Sequence, residues 1–346
     1  MKPLIDYIYK HKKEFSIIMG GDVLSHVEVY KDAHKNFGYD FNPIFSKIVP
    51  LIKSTDLAFC NQESLLGGEK IGLNGGEFKT IGKSPNPIFC SPYELGDAVV
   101  NSGFNLISLA NNHVLDKGIK GIGNSIKYWK TKPVITSGCN LKETKPKVHR
   151  CNGIKYAFLS YTTRTNTIEV PDEKEYLVNL YSDERVKSDI EYIKPKVDCI
   201  IVSIHWGTEY QLGQIDTEQE HISNYLAKLG VNLIIGHHPH VIQPIRKIGD
   251  TLVMYSLGNL LACQDGDVLM KRVGALVKVN IKKVGRKIII STPDTKLTYC
   301  YYDEKHRNFQ IIPFSQLTDE ELPNYKLIEN KYNKYINYEN TTRTTK

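Results

Sequence analysis

Along most of this chain, short apolar runs stop abruptly on residues that can hold a metal ion or move a proton. The run 15–19 leads to Gly21-Asp22, 57–60 to Asn61-Gln62-Glu63, and 105–109 to Asn111-Asn112-His113. The run 156–160 leads to a polar loop over 162–166. Further on, 198–204 closes on His205-Trp206-Gly207, 232–235 on Gly236-His237-His238-Pro239-His240, and 251–256 on Leu257-Gly258-Asn259. Each run is short enough for a strand. The segments between them, at 43–53, 92–102, 119–129, 182–193 and 217–229, read as helices. Strand–helix alternation of this kind builds α/β layers. After Gly274 the pattern becomes alternating β over 275–281, 287–291 and 296–301. The segment 67–82 is rich in glycine and reads as a long loop or hairpin. No repeat of about 20–50 residues appears, and no low-complexity linker divides the chain. One catalytic domain is expected over 1–315, followed over 316–346 by a polar helix and a frayed tail.

Composition narrows the class. A hydrophobic share of 41% is enough for a buried core and excludes a disordered chain. No apolar run reaches the roughly 18 residues of a membrane span, so no transmembrane segment is expected. The first residues have no apolar stretch like that of a signal peptide. The seven cysteines are scattered, odd in number and never spaced C-x-x-C, as in a reduced protein rather than a disulfide scaffold. A cytoplasmic location follows as the expectation. The net charge is 45 − 38 = +7, a mild attraction for anionic substrates. Basic residues do not interleave with aromatics in a nucleic-acid motif, so no nucleic-acid partner is expected.

The chemistry lies at the run ends. Asp22, Glu63, Asn112, His113, His205, His238 and His240 each fall just past an apolar run. In open α/β sheets, ligands bind beyond the carboxyl ends of the strands, so residues far apart in sequence can converge there. Carboxylate, amide and imidazole together suit Mn, Fe or Zn, and the lack of cysteine argues against a structural zinc. Two carboxylates and three histidines can hold two ions, which at about 3.5–4 Å apart clamp a phosphoryl group. Taken singly, each residue has an ordinary structural reading, as a turn or a satisfied polar group. The pair His238-Pro239-His240 is more telling, because proline stiffens the backbone that aims both imidazoles. In Asn111-Asn112-His113 an amide can ligate while the adjacent histidine acts as an acid.

The ordered set Gly21-Asp22, Asn61-x-Glu63, Asn111-Asn112-His113-x-x-Asp116-x-Gly118, His205-Trp206-Gly207-x-Glu209-Tyr210, Gly236-x-His238-Pro239-His240 and Ser256-Leu257-Gly258-Asn259 resembles the CapA family of poly-γ-glutamate capsule biosynthesis. That family lies within the calcineurin-like metallophosphoesterases. The resemblance runs from about Phe15 to Leu260. It implies a four-layer α/β/β/α sandwich with two divalent metal ions (Mn, Fe or Zn) at the strand ends. By resemblance, Asp22 and His240 serve one ion, Asn112, His205 and His238 the other, and Glu63 bridges them. His113 protonates the leaving group or steadies transition-state charge, and Asp116 orients it. Glu209 and Asn259 would stand at the rim, where they are expected to bind substrate, or just behind the ligands, and His237 is not read as a ligand.

The wider superfamily opens with Asp-x-His, but this chain has Leu24 at that histidine position. His26 lies near, although a surface position at a helix start is the expected one. Arg164 offers a fork for a phosphate or carboxylate, with Lys79 a weaker candidate of the same kind. Trp206 reads as core beside His205, with a substrate platform as the other reading.

The resulting expectation is a metal-dependent phosphoesterase-like hydrolase using a hydroxide shared by two ions. Its substrate would be an anionic phosphorylated or polymeric envelope precursor, and capsule synthesis proteins are the partners implied. The alternatives are a non-catalytic accessory protein of a capsule or poly-γ-glutamate synthesis complex, and a γ-glutamyl amide hydrolase.

Overall fold

The strand Glu14–Val23 is apolar on both faces: Phe15, Ile17 and Met19 enter one hydrophobic layer while Ile18 and Val23 enter another. A strand sealed on both sides needs a packing layer on each. The computed structural model, which describes residues 13–81, 84–166, 168–264, 266 and 268–339, supplies them. One sheet runs in the order 310–313, 294–301, 273–284, 14–23, 57–62, 106–108, 135–137. The second runs in the order 338–339, 245–248, 251–254, 233–237, 199–205, 154–162, 149–151.

The two sheets stack on a shared apolar layer. It contains Ile17, Met19 and Phe59 from one, and Phe158, Ile201 and Ile235 from the other. The outer face of the first sheet is covered by helices carrying Ile44, Leu95, Val99, Ile122 and Trp129. Val186, Ile190, Ile222 and Leu226 cover the outer face of the second. Three apolar layers between four structural layers make the α/β/β/α sandwich. No described helix is long and apolar enough to cross a membrane.

Strand direction positions the site. Glu14–Val23, Leu57–Gln62, Leu106–Ser108 and Ile135–Ser137 are parallel, as are Ile154–Thr162, Cys199–His205, Leu233–His237 and Thr251–Met254. Their carboxyl ends bring the run-end residues of both sheets to one edge. The late strands 273–284, 287–290, 294–301 and 310–313 add antiparallel pairs, as their alternating pattern indicates.

A short sequence recurs across the sheets. Gly103-Phe104-Asn105-Leu106-Ile107 and Gly230-Val231-Asn232-Leu233-Ile234 both end a helix and begin a strand. Each glycine adopts the left-handed cap that favours glycine, at φ 111° and 90°. Each asparagine accepts an N–H from the neighbouring parallel strand, Ala58 in one sheet and Ile200 in the other. The repeat is only a few residues long, too short for a scan at domain-repeat periods to find.

Local departures have local causes. The segment 43–53 forms two short helices, Asn42–Phe45 and Val49–Ile52, each with a proline in its first turn. The glycine-rich segment is part of a hairpin, Asn74–Ile81 with Ser84–Cys90. The C-terminal helix begins only at Tyr325, after Pro323 and the left-handed Asn324. Its Tyr332 and Ile336 enter the inter-sheet layer, and Tyr338–Glu339 joins the second sheet. The tail from 340 lies outside the described residues, as does the Lys79 side chain.

Candidate metal centre

Asp22 stands at the end of its strand because Gly21 lets two backbones meet: a Cβ on Gly21 would lie 1.9 Å from Gly258 O. Gly236 does the same before the histidine turn, where a Cβ would lie 2.1 Å from Tyr255 O. Beyond it, His238 and His240 flank Pro239 with φ of 97° and 57°. Two non-glycine residues in the left-handed region mark a turn held by its surroundings, as at many functional sites. It aims both imidazoles inward, with centroids 6.0 Å apart.

The donors converge closely. His205 Nε2 lies 3.0 Å from Asn112 Oδ1, 3.1 Å from His238 Nδ1 and 3.5 Å from Glu63 Oε1. The same Glu63 oxygen is 3.7 Å from His240 Nε2, and His240 Nδ1 is 3.5 Å from Asp22 Oδ2. Asn61 Nδ2 donates to the other Asp22 oxygen at 2.8 Å. The ligand atoms of Glu63, His205 and His238 lie within 4.8 Å of one another, as do those of Asp22, Glu63 and His240. All of these side chains are buried, and neither Glu63 oxygen has a hydrogen-bond partner. Buried carboxylates are normally hydrogen-bonded or paired with cations. This donor set, with its lone pairs crowded together, fits divalent ions.

Electrostatics follow from burial. Burial raises Glu63 well above the usual carboxylate range, the His240 cation opposes it and the Asp22 charge adds to it. For Asp22 burial works upward, yet His237 and His240 hold it well below that range. His240 is pushed up to about 10: burial opposes its charge, and Glu63 and Asp22 outweigh burial. Burial, then the neighbouring His238, keeps His205 well below its ordinary value. Burial, then His240 and Arg164, brings His238 down to about 3. Neutral imidazoles are the form that ligates.

His113 sits beside this cluster. Its Nδ1 is 2.8 Å from Asp116 Oδ2, which also accepts the Phe89 N–H at 2.7 Å. The Phe89 ring meets the His113 ring edge-on at 4.7 Å. The hairpin ending at Cys90 thus holds the pair in place, a role that no local sequence signal carries.

Several expectations change. Asn259 is buried and bonded throughout: its Oδ1 lies 2.9 Å from His240 Nδ1, and its amide donates to the carbonyls of His240 and Lys271 and to Gln264 Oε1. It is placed to orient His240, the second of its two expected positions, because parallel pairing with Asp22 brings it behind that ligand. Arg164 is engaged by Glu218, with nitrogen–oxygen distances of 2.8 and 3.1 Å, so an incoming anion must compete with that carboxylate. His26 is buried rather than on the surface. Its Nδ1 lies 3.0 Å from Leu24 O and accepts the Cys263 N–H at 3.1 Å, its ring meets Phe89, and it is in none of the close donor groups. Leu24 packs with Phe89 and Ala262. Trp206 is wholly buried and donates to Tyr255 O at 2.9 Å, as a core residue and not a platform.

His237, not expected as a ligand, lies against the donor set and is in none of its close groups. Its Nδ1 is 3.2 Å from Asp22 Oδ1, and its ring stacks on Phe59 at 5.2 Å. The two-residue period of a strand puts His237 on the face of Ile235, inside the inter-sheet layer.

Fold and donor set together define an α/β/β/α sandwich with a cluster of metal-type donors at the strand ends. Its architecture is shared with the crystal structure of a novel phosphatase from Mycoplasma pneumoniae. That likeness has a TM-score of 0.51 at 13% identity, covering 85% of this chain and 96% of the other. The family model for bacterial capsule synthesis protein PGA_cap matches residues 16–264, and the chain belongs to that family, the CapA family. It is 28% identical over 294 residues to the capsule biosynthesis protein CapA of Bacillus anthracis, covering 82% of this chain and 68% of that one. It is 26% identical over 263 residues to the PGA biosynthesis protein CapA of Bacillus subtilis (strain 168), covering 72% and 64%. The chain thus spans about two thirds of the length of these relatives.

Proposed function

We propose that this chain hydrolyses phosphoric esters in a metal-dependent reaction, on an anionic phosphorylated or polymeric precursor of a capsule or cell envelope. The observation that carries the reading is Glu63. It is fully buried with both oxygens unpartnered, and it stands between imidazoles of the second sheet at 3.5 and 3.7 Å. A structural carboxylate has no reason to be held so. The names of the CapA relatives supply the polymer context.

Asp22, Glu63 and His240 would hold one ion, and Glu63, Asn112, His205 and His238 the other. Bound there, two divalent ions supply Lewis-acid charge for a phosphoryl group and an acidified water. The other steps fall to side chains. Asp116 takes the Nδ1 side of His113, which leaves Nε2 to give a proton to the departing oxygen. Asn259 and His237 keep His240 and Asp22 in orientation, and burial keeps His205 and His238 neutral.

The test is elemental analysis of the purified protein, with p-nitrophenyl phosphate and bis-p-nitrophenyl phosphate hydrolysis under added Mn²⁺, for wild type and His238→Ala. Near-stoichiometric metal and turnover lost in the variant support the reading. A protein that stays inert with metal bound moves it to another bond, the γ-glutamyl amide first. A protein that takes up no Mn²⁺ removes it in favour of an accessory role.

A further inference from the structure

The two ion positions are unequally furnished. The one nearer the histidine strands has Glu63, Asn112, His205 and His238, whereas the other has only Asp22, Glu63 and His240. The residue two past Asp22 is Leu24, buried against Phe89 and Ala262 with no ligand atom to offer. His26 is in none of the close donor groups, and its Nδ1 faces the backbone of Leu24 and Cys263. The shortfall has to be met from elsewhere or left open to water.

Glu209 stands on the open side of the cluster, in the loop that follows the strand Cys199–His205. One of its carboxylate oxygens and ligand nitrogens of His238 and His240 all lie within 4.8 Å of one another. The loop is pinned to the histidine turn twice. Trp206 N–H donates to His237 O at 3.1 Å, and Tyr210 N–H donates to Pro239 O at 2.8 Å. Tyr210 itself takes φ 64°, left-handed backbone that a tyrosine adopts only under constraint. Its hydroxyl accepts from Gln264 Nε2 at 3.2 Å, and Lys271 lies over its ring. A strained residue fastened on both sides fixes the approach of the one before it.

We propose that Glu209 is a metal ligand, the carboxylate from the second sheet that adds to the coordination of the ion held by Asp22 and His240. This rests on the metal-centre reading above. It makes the first set three carboxylates and one imidazole, a harder donor set than the imidazole-rich second one, and so better suited to Mn²⁺. Because Glu209 lies on the solvent side, the first ion also becomes the more exchangeable of the two.

Mn²⁺ titration of the full chain tests the proposal, read by bound-metal stoichiometry and by the electron paramagnetic resonance spectrum. The wild type and Glu209→Gln are compared, with His205→Ala as a control at the other position. The wild type is expected to take up two ions with the spectrum of a coupled pair. Glu209→Gln is expected to bind one of them at least about tenfold more weakly, with an isolated-ion spectrum at intermediate Mn²⁺. Two ions with unchanged affinity in Glu209→Gln would overturn the proposal and leave the centre standing. A wild type that binds a single ion would overturn it too, since Glu209 would then not suffice to fill the position. A wild type that binds none would remove both this proposal and the reading beneath it. Circular dichroism of the metal-free variants separates lost binding from lost folding. A misfolded Glu209→Gln is replaced by Glu209→Ala in the same titration, with the same outcomes deciding.

Discussion

Where the parallel strands begin, Asp56 accepts both the N–H and the hydroxyl of Ser16, and a bond from the Asn152 amide. Where the strands finish, Glu63 is more deeply buried and accepts nothing. The contrast extends along both edges. At the starting edge Asn105 and Asn232 tie adjacent strands together. Asp198 accepts the Lys155 N–H at 2.9 Å and Lys283 Nζ at 2.6 Å, which joins the second sheet to the first. At the finishing edge, carboxylates and imidazoles crowd together at distances that suit a cation better than each other. Polar groups at one edge stabilise the fold, and those at the other are held in place by it. Functional sites are commonly assembled at some cost in stability.

That contrast can be broken by mutation. The largest effect is expected from Glu63→Gln: turnover of p-nitrophenyl phosphate should fall by about 100-fold or more. The metal-free chain should meanwhile gain about 1 kcal/mol in urea unfolding, because a buried carboxyl that no hydrogen bond compensates is replaced by an amide that stays neutral. A loss of stability would show that the two edges are built alike. Next, Asn232→Ala should cost about 1–2 kcal/mol by taking away the acceptor for Ile200 N–H, with turnover unchanged. A variant that kept its stability but lost activity would reverse the assignment.

The smallest effect belongs to Asp198→Asn, about 1 kcal/mol at neutral pH. Burial works against the Asp198 charge, and Lys283 and the Lys155 N–H outweigh it, so its folded pKa lies below the ordinary value. A lowered carboxylate contributes stability above its unfolded pKa, near about 3.9, and loses it as pH falls through the folded value. The gap between wild type and variant should therefore hold at pH 7 and close in strong acid, as denaturant midpoints across pH would show.

Much of this was legible in the sequence because the relevant rules are local. A run that ends on Asp22 or His205 declares both a strand and the end of the strand that matters. Parallel pairing then carries those ends to one edge. What stayed hidden depended on partners distant in sequence. Asn259 reads equally as a rim residue or a support for a ligand until its pairing with Asp22 sets it against His240. His26 looks exposed until Phe89, from a hairpin some sixty residues on, closes over it. His237 carries no motif signal of its own: strand alternation turns it onto the face of Ile235, where its ring stacks on Phe59.

The centre straddles the seam of the sandwich. Asp22, Glu63 and Asn112 come from one sheet, and His205, His238 and His240 from the other. Any ion bound there is consequently a rivet between the layers as well as a reagent. Its removal should loosen one edge while the opposite edge stays closed. Amide hydrogen exchange would show this as faster opening of the segments 61–65, 110–116 and 236–242 in chelator, well below the free energy of global unfolding. The last event of folding and the first of local opening would then be the same one, the closing or parting of two strand edges around their cargo of charge.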